Sequence, residues 1–166
     1  IRQDSNIHAE VFKEIIEIYF KKELTVKYEN YKEDKKIKNL SCLNKRINSK
    51  KFSNDLAKST IESIELITQI QKSNGQKGCH RYIISNNYSA INILEVFTMI
   101  RLTLGEKFNV DIVPLFESIS DLENASSVMD KTYSNKLYLS HLKRRSNVQY
   151  IMLSLIHISE PTRQLQ

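Results

Sequence analysis

The chain has no tryptophan, three glycines and two prolines in 166 residues, so it has few of the residues that divide a polypeptide into many short strands and tight turns. Scarce glycine also excludes the loops that cradle nucleotide phosphates. No Walker-type loop, GxGxxG or GxSxG occurs. The two cysteines, Cys42 and Cys79, lie far apart and outside any CxxC pair, which rules out a disulfide framework and reads as reduced thiols in a cytosol. No run approaches the roughly 20 apolar residues of a membrane span. The opening Ile1-Arg2-Gln3-Asp4 has neither an initiator methionine nor an apolar signal core, and it reads as a cut point.

What is present suits a folded domain, because 40% of the residues are hydrophobic and that is enough for a core. A net charge of +6 and a pI near 9.2 would suit a nucleic-acid partner. The basic residues are nevertheless spread among 19 acidic ones, and only Tyr28, Tyr31 and Phe52 accompany the Lys-rich stretch 32–51. Without aromatic residues interleaved for base stacking, neither nucleic-acid binding nor membrane binding is the expectation.

Periodicity orders the chain. Asp4 or Ser5 caps a helix with apolar positions Ile7, Val11, Phe12, Ile15, Ile16 and Tyr19 on one side. Residues 27–51 read as a solvated region with helical pieces anchored by Ile37, Leu40, Leu43 and Ile47. Asn54 caps a further helix through Leu56, Thr60, Ile64, Ile67 and Ile70, ending near Gly75. Tyr82-Ile83-Ile84 reads as a buried strand. A helix with Ala90, Ile93, Leu94, Phe97, Ile100 and Leu104 on one face follows it and ends at Gly105. Val110 to Phe116 is a second strand, Ser120 and Glu123 have the form of a capping box, 136–145 is helical, and Val148 to Leu153 reads as another buried strand. Strand alternating with helix builds a parallel sheet, so the expected class is helix-rich α/β.

In such sheets chemistry gathers at the carboxyl ends of the strands. Arg2, Gln3, Ser85 and Glu117 fall there. Glu117 follows an apolar run, where a carboxylate is paired, metal-bound or exposed, or simply sits near the first turn of the next helix. Arg2 has the guanidinium fork that suits phosphate, or else it forms a surface salt bridge. His8 on the flank of the first helix fits a hydrogen-bonded core histidine better than a ligand. Cys79-His80 has no second pair at zinc spacing, and Lys143-Arg144-Arg145 closes a helix as the macrodipole favours.

The strings themselves carry a resemblance. Ile1-Arg2-Gln3-Asp4-Ser5 with His8, then Tyr82-Ile83-Ile84-Ser85, then Val113-Pro114-Leu115-Phe116-Glu117 with Asp121-Leu122, Ala125 and Val128-Met129, and finally Gln149-Tyr150-Ile151-Met152 are similar, in order, to motifs of phosphoenolpyruvate carboxylases. Arg46 to Lys50 resembles a further element of that family, with Lys51 where the family has Arg. The resemblance implies a partial (β/α)8 TIM-type barrel. It also implies a cytoplasmic homotetramer that uses Mg²⁺ or Mn²⁺ to join bicarbonate to phosphoenolpyruvate, giving oxaloacetate and phosphate. On this reading phosphate passes to bicarbonate and the resulting enolate takes up the CO₂ released. By motif, Arg2 would bind the substrate phosphate and Glu117 would be one of two carboxylate ligands of the metal. Alternatives are another phosphoenolpyruvate-using or aldolase-like barrel, or a basic helical module binding nucleic acid.

After Met152 the pattern departs. Where the family continues toward the second metal-binding aspartate, this chain reads Leu153-Ser154-Leu155-Ile156-His157-Ile158-Ser159-Glu160, which resembles an in-frame sequencing-library adapter. Residues 1–153 are therefore expected to form an internal piece of the carboxylase barrel, and 154–166 a non-native tail in which His157 and Glu160 are not a site. Lacking the second carboxylate, the Gly-rich arginine loop and the general-base histidine, the chain alone is expected to be inactive.

Overall fold

The computed structural model describes residues 1–20, 28 and 30–154. The expected tail lies outside the described residues except for Ser154. Strand β1 (Arg2–Asp4) runs into helix α1 (Ser5–Phe20), and α2 (Glu33–Leu40) and α3 (Asp55–Asn74) follow. Next come β2 (Arg81–Ser85), α4 (Ala90–Leu104), β3 (Asp111–Phe116), α5 (Ile119–Ser134), α6 (Lys136–Arg144) and β4 (Met152–Leu153). The four strands form one parallel sheet in the order β1-β2-β3-β4. Neighbours in sequence are thus neighbours in the sheet, with no reversal of order, and helical segments link each pair. The helix-rich α/β expectation is met.

The helices begin where short polar side chains satisfy the free amides of a first turn. Asp4 Oδ1 accepts from the Asn6 N–H at 2.8 Å, and Asn54 Oδ1 from those of Leu56 and Ala57 at 2.8 and 3.3 Å. Gly105, with φ +97°, ends α4 in a conformation that side-chain-bearing residues rarely adopt. The fifth helix starts two residues earlier than its Ser120–Glu123 pattern predicts. Ser118 is the cap: its Oγ accepts from the Asp121 N–H at 3.1 Å, and Asp121 Oδ2 accepts from the Ser118 N–H at 2.9 Å. Both serine-carboxylate pairs have the right spacing, and the one adjoining the strand wins because β3 ends there.

Register separates the faces of the sheet. Arg2 pairs with Ile83 and Ile83 with Val113, so alternation puts Gln3, Tyr82 and Ile84 on the opposite face. That second face meets the helices: the Gln3 carboxamide donates to Thr60 of α3, and the Tyr82 hydroxyl sits 3.1 Å from His8 of α1. Arg2 and Arg81 project on the other side and are exposed. The guanidinium of Arg81 lies 4.4 Å over the ring of Tyr150.

Two further expectations need correction. Helix α4 is buried all round rather than on one face, because α1, α2, α3 and α5 all contact it. The Lys-rich region supplies part of that cover through buried Tyr28, Leu40, Leu43 and Ile47. The polar side chains of α4 are satisfied accordingly. Thr98 and Thr103 donate back to the carbonyls of Leu94 and Met99, and Tyr28 donates to Glu95 Oε1 at 2.9 Å. The run from Val148 to Leu153, predicted to be buried, contains only the two-residue strand Met152–Leu153, and Tyr150, Ile151, Met152 and Leu153 are all exposed. It forms the outer edge of the sheet, where apolar character alone brings no cover.

Burial pushes the carboxyl of Glu95 up to about 7 against the help of Tyr28 and Lys36. Its folded value lies above its unfolded one, so its contribution is complete below about 4.5 and lost as the pH rises through 7. That costs roughly 3 kcal/mol. Glu95→Gln keeps an acceptor for Tyr28 and cannot ionise. It is expected to be about 3 kcal/mol more stable than the parent at pH 8 and nearly equal at pH 4, read from urea unfolding at both values.

Candidate active site

The carboxyl end of the sheet is assembled by three chain turns. β1 passes directly into α1 at Ser5, β2 turns through Asn86 into the loop before α4, and β3 ends at Phe116 with Glu117 just ahead of the Ser118 cap. Arg2 opens β1 rather than ending it, which corrects the strand-end expectation, and it reaches this end through its long side chain: Arg2 Nη2 donates to Oε1 of Glu117, 115 positions away, at 3.3 Å. The Asn86 N–H donates to the second oxygen, Oε2, at 2.9 Å, and the Glu117 N–H points to Asp121 Oδ2 at 3.4 Å. Glu117 is thus the paired carboxylate among the options its position left open. Ser85 ends β2 half-buried.

The pair is loose. Its side chains are 58% and 37% exposed, and ion pairs at that exposure contribute about 0–1 kcal/mol. Little is lost when the guanidinium turns to another anion. Both partners then present their charges outward, one a planar fork for phosphate and the other a hard oxygen donor.

Other candidates fall elsewhere. His8 is wholly buried behind β1, in a chain of hydrogen bonds that runs through Tyr82, Gln3 and Thr60. Burial brings it down to about 4, with Asp4 opposing, so it is the core histidine its position predicts. His80 Nδ1 lies 2.8 Å from the Lys77 carbonyl oxygen. Cys42 and Cys79 are free thiols. Among the described residues no cluster of three or more His, Cys, Asp or Glu is placed to hold a metal. No described helix is long and apolar enough to cross a membrane.

Asn86 is absent from the sequence-based candidates, and Ser5 is there only as a possible cap and motif residue; its Oγ donates to the Asn86 carbonyl at 2.6 Å. The Asn86-Asn87 pair after an apolar strand was the available signal, since asparagine is the side-chain-bearing residue most at home in the left-handed region.

A model of the family described as phosphoenolpyruvate carboxylase matches residues 1–155. Similar proteins include the phosphoenolpyruvate carboxylase of Prochlorococcus marinus strain MIT 9312, 31% identical over 154 residues, covering 87% of this chain and 15% of the relative. That of Gloeobacter violaceus is 36% identical over 104 residues, covering 57% of this chain and 10% of the relative. That of Nitrosomonas eutropha is 33% identical over 105 residues, covering 60% and 11%. The chain spans about 15% of the length of the first of these relatives. The match covers the strands, the helices between them and the turn that carries Glu117, so the chain belongs to the phosphoenolpyruvate carboxylase family.

Proposed function

We propose that this chain is a section of a (β/α)8 barrel that carboxylates phosphoenolpyruvate with bicarbonate, and that Arg2 and Glu117 are its share of the active site. The observation that carries the reading is their convergence at 3.3 Å at the carboxyl end of a parallel sheet. The strand order supports a barrel section: β1-β2-β3-β4 follows the chain without the reversal that marks a doubly wound sheet. The exposed outer strand β4 and the exposed Arg2 face are what a barrel section presents before the remaining strands join it.

The donor chemistry fits a divalent cation. Glu117 offers a carboxylate, and Mg²⁺ is held in enzymes by one or two carboxylates together with water and substrate oxygens. Bound there, Mg²⁺ or Mn²⁺ supplies Lewis-acid stabilisation of negative charge developing on oxygen. Arg2 releases Glu117 and grips the phosphate of phosphoenolpyruvate through its fork, holding the ester in line for transfer to bicarbonate. Asn86 keeps Glu117 from following Arg2. The full enzyme would be a cytoplasmic homotetramer.

In the full-length protein carrying these residues, Arg2→Gln and Glu117→Gln are each expected to lower kcat/KM for phosphoenolpyruvate on the order of 100-fold or more. The 166-residue chain by itself is expected to form no oxaloacetate. Bicarbonate-dependent oxaloacetate from that chain would overturn the shared-site reading, as would full activity in the Glu117 variant.

A further inference from the structure

Asn86 follows the last residue of β2 with φ +54°, a left-handed conformation that most side-chain-bearing residues avoid. That conformation gives both of its main-chain groups a partner. The N–H donates to Glu117 Oε2 at 2.9 Å, and the carbonyl accepts from Ser5 Oγ at 2.6 Å. Ser5 is wholly buried at the start of α1, so the turn is anchored to a rigid element. Arg2 closes the ring on the other oxygen of Glu117. The ends of three adjacent parallel strands are thereby tied through the backbone of one residue. The next residue, Asn87, is fully buried, and neither polar atom of its carboxamide has a partner among the described residues. A left-handed residue followed by an unsatisfied buried amide is a costly turn, and such turns persist where the surrounding structure imposes them.

We infer that Asn86 is a positioning residue for Glu117: its main-chain N–H fixes one carboxylate oxygen so that the other faces the cation. This rests on the reading of Glu117 as a metal ligand. Ligating carboxylates are commonly oriented by such hydrogen bonds, and losing one costs metal affinity roughly 10- to 100-fold. Here the orienting group is backbone, so what matters at position 86 is tolerance of a positive φ.

The test uses the ¹⁵N-labelled chain and Mn²⁺. Glu117→Ala is expected to move the Asn86 amide resonance upfield as its acceptor disappears. In the parent, Mn²⁺ is expected to broaden the amides of residues 2, 86 and 117 first. Asn86→Gly, which keeps both the N–H and the positive φ, should bind Mn²⁺ as the parent does. Asn86→Val, which resists that φ, should bind about tenfold more weakly, and Ser5→Ala should shift the affinity the same way even if the valine variant does not fold. Parent-like Mn²⁺ affinity in both Asn86→Val and Ser5→Ala overturns the inference and leaves Glu117 as a ligand. Tenfold loss in Asn86→Gly also overturns it, because the side chain would then be responsible. If Mn²⁺ broadens nothing near Glu117 in the parent, the ligand reading fails. The Glu117→Ala comparison then decides alone, and an unmoved Asn86 amide sinks the inference.

Discussion

Lowering the pH from 7 to 4 is expected to cost the Glu95→Gln variant roughly 6 kcal/mol of stability and the parent chain roughly 3. Two histidines produce the loss. His8 and His141 are both buried, and burial brings each down to about 4. The Tyr82 hydroxyl donates to Gln3, so His8 Nε2 must carry the proton that meets Tyr82, and Nδ1 is left buried without a partner. His141 donates from Nε2 to the Val110 carbonyl at 3.0 Å and stacks on Phe108, and its Nδ1 likewise has no partner among the described residues. Arg144 and Arg145 add to the burial effect, while Val110 and Asp111 oppose it. Protonating either ring would place a charge in the core. Because the folded value lies below the unfolded one near 6.5, stability is complete above 6.5 and declines as the pH falls toward 4, by roughly 3 kcal/mol per histidine. Glu95 works in the opposite direction over much the same window, so the parent shows only the difference. Urea unfolding at pH 7, 5.5 and 4 separates the terms. A flat profile in Glu95→Gln would contradict the neutral, buried state of both rings.

Arg101→Ala is expected to remove about 3–4 kcal/mol, a fall in Tm of roughly 10 °C. The side chain is 4% exposed, and it reaches out of α4 to close the end of α2. Its Nη2 donates to the carbonyls of Leu40 and Leu43, and its Nη1 pairs with Glu106 at 2.7 Å. Truncation takes the side-chain donor from the Leu43 carbonyl, while that of Leu40 keeps the Leu43 N–H, and it leaves a void where the stem lay; each effect carries its own cost. Arg101→Lys can reach one acceptor at a time and should fall between. A thermal shift under 3 °C for Arg101→Ala would show that the Lys-rich segment is held by its apolar anchors alone.

Much of this architecture is legible one element at a time. The caps at Asp4 and Asn54, the stop at Gly105 and the apolar strands follow from local chemistry, because each depends on residues within a turn of one another. The all-round burial of α4 does not, since part of the cover comes from Tyr28 and Leu40, whose sequence neighbours are all polar. Nor does the exposure of Tyr150 to Leu153, since the apolar character of a run does not show what lies beside it. The candidate site divides the same way. Arg2 and Glu117 were singled out by strand-end position and by motif, whereas their contact is made by the register of three parallel strands. The role of Asn86 lies in its backbone groups, which every residue possesses and no motif displays, and that of Ser5 in a side-chain oxygen whose acceptor is 81 positions away in sequence.

On the proposed function, Arg2 and Glu117 form one substrate pole, with the cation on the carboxylate and the phosphate on the guanidinium. Mn²⁺ titration of the ¹⁵N-labelled chain, with and without phosphoenolpyruvate, tests it most directly. Broadening is expected to centre on residues 2 and 117 and to strengthen when phosphoenolpyruvate is added, with the strengthening lost in Arg2→Gln. Broadening centred elsewhere, or a response to phosphoenolpyruvate that survives Arg2→Gln, would contradict it.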